Sequence, residues 1–221
     1  MAPPLVLDID GTLTTPAGTI DPRAFEVLRS WDAPVVLATG KAFPYPVALC
    51  HFLGVPERVV AENGGVVYAE DAVRLTTDGD RPKEAAAAFV DRGGDLGWGE
   101  ADTVNRWRET EVACHLDADE RLLREVAAEY DLDVVDTGYA FHLKNPGVEK
   151  GDGVEAVAET LGLDPESFVA VGDSENDAST FSVVGRSFAV ANADATARSA
   201  ADVVTDRSYM DGTLEALDSL A

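Results

Sequence analysis

Basic side chains are scarce in this chain: 17 Lys and Arg stand against 41 Asp and Glu, and only 4 of the 17 are Lys. A formal charge of −24 at pH 7 excludes nucleic acid as the main partner, because phosphate backbones bind basic surfaces. Cysteine is nearly missing as well. Cys50 and Cys114 lie far apart and join no metal-type cluster. That pattern points to free thiols in a reducing, cytoplasmic compartment rather than to a disulfide framework. No apolar run is long enough to span a membrane, and the N-terminus lacks a basic segment followed by an apolar one. Neither a membrane anchor nor a secretion signal is therefore expected. Internal repeats and low-complexity tracts are also wanting.

What is present is enough for a substantial core. With 221 residues, 46% of them hydrophobic, the chain suits one large domain or a core with a smaller insert. Its acidity is a surface property and not a tail: the net charge is −2 over residues 1–60, −11 over 61–146 and −11 over 147–221. Asp (24) outnumbers Glu (17). This composition resembles that of proteins from salt-in halophiles. There, dense carboxylates hold water, and screening relieves their repulsion as the Debye length falls to roughly 3 Å at 1 M salt.

Short apolar runs at 4–9, 34–39, 58–63, 168–173, 187–192 and 202–205 read as buried parallel strands. Helical segments at 22–31, 43–53, 151–162 and 212–220 separate most of them. The alternation predicts an α/β fold, a doubly wound, Rossmann-like parallel sheet, whose ligands bind beyond the carboxyl ends of the strands. Asp8 and Asp10, Thr39 and Asp173 all stand at or just after such ends. The middle of the chain reads differently. Residues 63–75 suggest a hairpin, 82–92 and 119–130 helices, 103–117 a strand-like mixture and 132–145 two more strands, with a glycine-rich loop at 92–102. The expected organisation is a core of residues 1–77 and 147–221 interrupted by an α+β insert over 78–146.

"LVLDIDGTLT" (5–14) sets two carboxylates two residues apart at the end of a buried strand. Gly11 permits a tight turn there, and Thr12 brings a hydroxyl. A calcium hand would need further oxygen ligands and a closing Glu, which "TLTTPAG" does not supply. "VAVGDSENDAS" (169–179) repeats the pattern: a strand ends in Gly-Asp, with Asp177 four residues on. Asp8, Asp10, Asp173 and Asp177 in one crevice require a cation. A hard divalent ion, Mg²⁺, takes oxygen ligands, keeps waters and bridges to phosphate.

"DIDGTLT", "LATGK", "GVEKGDGV" and "GDSEND" resemble, in order, the four motifs of the haloacid dehalogenase superfamily of phosphatases. The insert between the second and third resembles the C2 cap of the Cof-like branch, as do "AENGG" (61–65) and "DRSYMDGTLEAL" (206–217). The short chain and small cap are most similar to archaeal phosphoglycolate phosphatases. The resemblance implies a phosphoric monoester hydrolase that forms an aspartyl-phosphate. Asp8 would be the nucleophile and Asp10 the general acid and base. Asp8, the Asp10 carbonyl and Asp173 would hold Mg²⁺, with Asp177 as ligand or water-mediated support. Thr39, Gly40, Lys150 and Asn176 would bind phosphate and substrate. The implied partner is a small phosphorylated metabolite, 2-phosphoglycolate or else another ester such as a sugar phosphate; the oligomeric state stays open. A phosphomannomutase-like phosphotransferase would share the same cap. A non-enzymatic binding module has no need of both Asp8 and Asp10.

The second motif departs from the pattern. Lys41 follows Gly40 where many relatives have Arg, and a lysine cannot reproduce a bidentate guanidinium fork. Thr180 occupies a usually apolar position. In the insert, Arg106, Arg108, His115, His142 and Lys144 are candidates for a second anionic group, with solvation the expected state of most of them. Trp98 and Trp107 are expected to pack. Cys50 and His51 lie within a predicted helix without a positioned acid, so no nucleophile is assigned there.

Overall fold

The computed structural model describes residues 2–137 and 139–220. The chain begins with β1 (Leu5–Leu7), α1 (Arg23–Arg29), β2 (Val35–Ala38), α2 (Pro44–Leu53) and β3 (Val59–Ala61), followed by the hairpin β4 (Val66–Ala69) and β5 (Ala72–Leu75). The middle holds α3 (Asp80–Asp91), β6 (Glu111–His115), α4 (Glu120–Glu129), β7 (Asp133–Asp136) and β8 (Ala140–Lys144). It closes with α5 (Lys150–Leu161), β9 (Val169–Gly172), α6 (Ala178–Val183), β10 (Arg186–Ala189), α7 (Ala195–Ala200), β11 (Val203–Val204) and α8 (Tyr209–Asp218).

Eight strands form one sheet in the order β11-β10-β9-β1-β2-β3-β4-β5. The six strands from β11 to β3 run parallel, and the β4–β5 hairpin adds antiparallel to β3. The period-2 alternation of a strand divides the apolar runs between two cores. Leu5, Leu7, Val35, Leu37 and Val59 face one way, where α1, α2 and α8 cover them. Val6, Val36, Ala38 and Val60 face the other way, toward α5, Phe168 and Phe181. Burial of each such side chain stabilises the fold by roughly 1.5–3 kcal/mol. Strands buried on both faces must be apolar, which is why β1, β2, β3 and β9 stand out in the sequence, while β10 opens on exposed Arg186 and buried Ser187.

A second, three-stranded antiparallel sheet has the order β6-β8-β7. Its Val112, Cys114, Phe141 and Leu143 pack against Ala85, Ala86 and Phe89 of α3 and Leu123, Val126 and Ala127 of α4. The strand-like pattern at 103–117 is a strand only over Glu111–His115; the preceding residues form turns. Their alternation was misleading because Trp107 is exposed while Arg108 is buried. Trp98 is partly buried, with its indole N–H donating to the Ala113 carbonyl at 2.8 Å. No helix among the described residues is long and apolar enough to cross a membrane.

Candidate active site

The site lies where β1, β2 and β9 end and α5 begins. Asp8 continues the β1 ladder by one residue, its N–H donating to the Val171 carbonyl at 3.0 Å, and its side chain is buried. Lys150, the first residue of α5, is 1% exposed. Its Nζ donates to Asp8 Oδ1 at 2.8 Å and to Asp177 Oδ1 at 2.7 Å. Asp177 Oδ2 accepts the N–H groups of Asp173 (2.9 Å) and Ser174 (3.1 Å). Asp177 therefore organises the loop after β9, with both oxygens accepting hydrogen bonds. Glycine makes the crowding possible. A Cβ at Gly11, whose φ is +79°, would lie 1.9 Å from Asp173 Oδ2, and one at Gly172 would lie 2.4 Å from the Asp177 carboxyl carbon.

One oxygen each from Asp8, Asp173 and Asp177 lies within 4.8 Å of the others. Asp8 Oδ2 is buried and has no hydrogen-bond partner. Burial pushes the Asp8 carboxyl well above its ordinary range against the pull of Lys150, and Asp177 and Asp173 add to the rise. Burial and then the charge of Asp177 push Asp173 up to about 7. Burial opposes the charge on Lys150, but Asp177 and Asp8 outweigh it and raise its pKa. A single ammonium thus serves two carboxylates and leaves a third uncompensated. The all-oxygen donor set and the orphaned buried oxygen fit a hard divalent cation.

Thr39 and Gly40 follow β2. Thr39 is buried, its N–H bonded to the Val60 carbonyl at 2.8 Å and its Oγ1 accepting the Lys41 N–H at 3.1 Å. Asp10 stands apart from the acid cluster. Its side chain is 54% exposed and pairs with Lys41 Nζ at 3.0 Å. Asn176 Nδ2 donates to Asn63 Oδ1 at 3.0 Å, and both residues line the same crevice. Thr12 Oγ1 and Thr180 Oγ1 are buried without a partner.

The insert meets the core through a buried polar cluster. Glu111 accepts from His142 Nδ1 at 2.8 Å, from Asn63 Nδ2 at 3.1 Å and from Arg108. Arg108 also donates to the Gly40 carbonyl at 3.0 Å. Glu62 accepts the N–H groups of Glu109 and Thr110 at 3.0 and 2.7 Å, together with the Thr110 hydroxyl at 2.8 Å. Arg108 and His142 are therefore neither solvated nor free for a ligand. Asn63 and Glu62 went unassigned as site residues. Their signal lay in "ENGG", where both take left-handed backbone angles (φ 53° and 51°) that non-glycine residues seldom adopt. A crevice of about 890 Å³ runs beside these groups, lined by Asn63, Lys144, Lys150, Asp173, Asn176 and Asn192 among others.

The profile of the haloacid dehalogenase-like hydrolase family matches residues 5–92 and 116–217. A Halorubrum lacusprofundi protein named phosphoglycolate phosphatase is 64% identical, with 100% of this chain and 98% of that protein covered. A protein of the same name from Methanococcoides burtonii is 37% identical, with 97% and 94% covered. In structure, a Thermoplasma acidophilum protein superimposes with a TM-score of 0.85 at 28% identity, both chains being covered completely. A haloacid dehalogenase-like hydrolase from Bacteroides thetaiotaomicron shares the fold at a TM-score of 0.82 and 19% identity, again over both whole chains.

Proposed function

The chain belongs to the haloacid dehalogenase-like hydrolases, and on that premise we propose that it is a Mg²⁺-dependent phosphomonoesterase that hydrolyses 2-phosphoglycolate to glycolate and phosphate. One observation carries the chemistry: Lys150 is shared between Asp8 and Asp177, with Asp173 close by and Asp8 Oδ2 left without a partner. The name shared by its relatives supports the substrate.

Asp8, the Asp10 carbonyl and Asp173 would hold Mg²⁺, with Asp177 as ligand or water-mediated support, and the ion would supply charge neutralisation and orientation of the phosphoryl group. Lys150 grips Asp8 Oδ1 and fixes the rotation of the nucleophilic carboxylate. Asp8 attacks phosphorus in line, the bond to the alcohol oxygen breaks, and an aspartyl-phosphate forms. Asp10 gives its proton to the departing oxygen, then takes one from the water that splits the acyl phosphate and frees Asp8. The Thr39 hydroxyl, the Gly40 N–H and Lys150 bind phosphate oxygens, while Asn176, through Asn63, steadies the loop that carries Asp173. The insert covers the crevice and excludes bulk water.

Release of inorganic phosphate from a panel of phosphate esters, with Mg²⁺ and molar KCl, tests this reading. Phosphoglycolate is expected well ahead of sugar phosphates, with activity rising as KCl screens the −24 charge. A sugar phosphate in first place makes the protein a sugar phosphatase. Transfer to a phosphorylated acceptor with little free phosphate makes it a phosphotransferase.

A further inference from the structure

Resting on the substrate reading above, we propose that Lys41 is the specificity-determining residue, whose ammonium binds the carboxylate of the leaving group. In an in-line displacement the leaving oxygen lies on the far side of phosphorus from Asp8, within reach of the acid that protonates it. Whatever stands beside the Asp10 carboxylate therefore stands beside the leaving group. Lys41 Nζ is 3.0 Å from Asp10 Oδ2. Its backbone N–H is tied to Thr39 Oγ1 at 3.1 Å, so the side chain springs from the turn that grips the phosphate. On the insert side, the ammonium lies 5.9 Å from the ring centroid of Tyr139. Tyr139 in turn stacks on Trp98 at 5.9 Å and 23°. Lys41 thus occupies the seam between core turn and insert, where an alcohol leaving an Asp8-bound phosphoryl group must lie.

The neighbouring cations are differently placed. Lys150 is buried and divided between Asp8 and Asp177. Arg108 is buried against Glu111 and the Gly40 carbonyl. Lys144 lines the crevice on the Asn176 side and donates to the Val148 carbonyl. Lys41 alone of these four pairs with a half-exposed carboxylate, a contact in water that exchanges at little cost. In phosphoglycolate only a methylene separates the leaving oxygen from the carboxylate, so that charge arrives at the place where Lys41 Nζ already holds one. A lysine accepts a carboxylate as a point charge on a flexible stem, and the Tyr139 face limits where that stem points.

The test compares phosphoglycolate with ethyl phosphate, which has a methyl group in place of the carboxylate, in wild type, Lys41→Met, Lys41→Arg and Lys144→Met. The readout is the ratio of the two kcat/KM values. In Lys41→Met the ratio is expected to fall about 30-fold or more, mainly through a higher KM for phosphoglycolate, as follows from losing a charge-assisted contact. Lys41→Arg should keep the ratio within about fivefold of wild type because it retains the charge. Lys144→Met should leave it unchanged. If wild type prefers phosphoglycolate and Lys41→Met keeps that preference, the assignment of Lys41 is overturned while the substrate reading stands. A fall in Lys144→Met instead transfers the role to Lys144. A wild-type enzyme indifferent to the carboxylate overturns both the substrate reading and the role of Lys41.

Discussion

The two sheets of this molecule place their charged side chains by different rules. In the eight-stranded sheet the central parallel strands β1, β2, β3 and β9 are apolar, and the candidate site residues sit beyond their carboxyl ends: Asp8 after β1, Thr39 after β2, Asp173 after β9. In the three-stranded sheet, alternation across the strand does the sorting. Val112, Cys114, Phe141 and Leu143 face the two helices, while Glu111 and His142 point the other way and bond to each other, Glu111 also accepting from Asn63 of the core. The end of a strand presents groups to a ligand; the face of a strand presents them to another part of the protein. The groups proposed to react and the groups that join the two sheets are thus separated by geometry, although each set contains a buried acid, Asp8 in one and Glu111 in the other.

Four substitutions bear on that comparison. Asp8→Asn removes the proposed strand-end nucleophile, and phosphate release should fall by at least about 10⁴-fold with urea stability little changed; an assay retaining full turnover would overturn the role of Asp8. Next in size is Lys150→Met, which leaves buried Asp8 and Asp177 without their cation. A loss of about 3–5 kcal/mol in urea unfolding is expected, and Mg²⁺ should restore part of it, since the proposed ion site uses the same acids.

A face-placed acid behaves differently with pH. Burial alone would raise the Glu111 carboxyl, but the charges of His142 and Arg108 outweigh it and hold the group at about 2, below its ordinary 4.5. The folded value is depressed, so the contribution is fully present above pH 4.5 and is lost as pH falls toward 2, amounting to roughly 2–3 kcal/mol. Glu62 works in the opposite sense, since burial raises it, and so offsets part of this loss on acidification. Urea midpoints measured between pH 5 and 2 should decline less steeply in Glu111→Gln than in wild type. The smallest effect belongs to the outer surface of the insert. Arg92→Gln breaks the exposed pair with Glu129 and should leave the urea midpoint at molar KCl unmoved, as screening predicts.

The parallel strands were legible because two-sided burial demands apolar runs; five of the six lie within the runs that announced them, and β10 starts one residue earlier, at exposed Arg186. The places of Asp8 and Asp173 followed from the strand ends; Asp177 joins them from the helical turn after β9, while Asp10 stands apart with Lys41. What the chain did not disclose were partnerships across long separations. Asn63 meets Asn176 and Glu111, 113 and 48 residues away, and no local pattern records such a meeting. Arg108 and His142 looked like solvent-facing charges because most charged residues are exposed; their burial depends on Glu111, three and 31 residues away. Lys41 and Asp10 lie in separate motifs, and only the fold shows that they pair.

The bond from the Asp8 amide to the Val171 carbonyl has a consequence for how the family can vary. Because β1 and β9 are adjacent, with Leu7 in register with Val171, Asp8 falls opposite Gly172 and Asp173 one residue beyond it, so the backbone spacing of the two acids follows from the ladder, whose strands lie roughly 4.8 Å apart. The backbone works here as a ruler. Substitutions along either strand can alter stability without altering that gauge, whereas one inserted residue in either strand would throw it out of calibration.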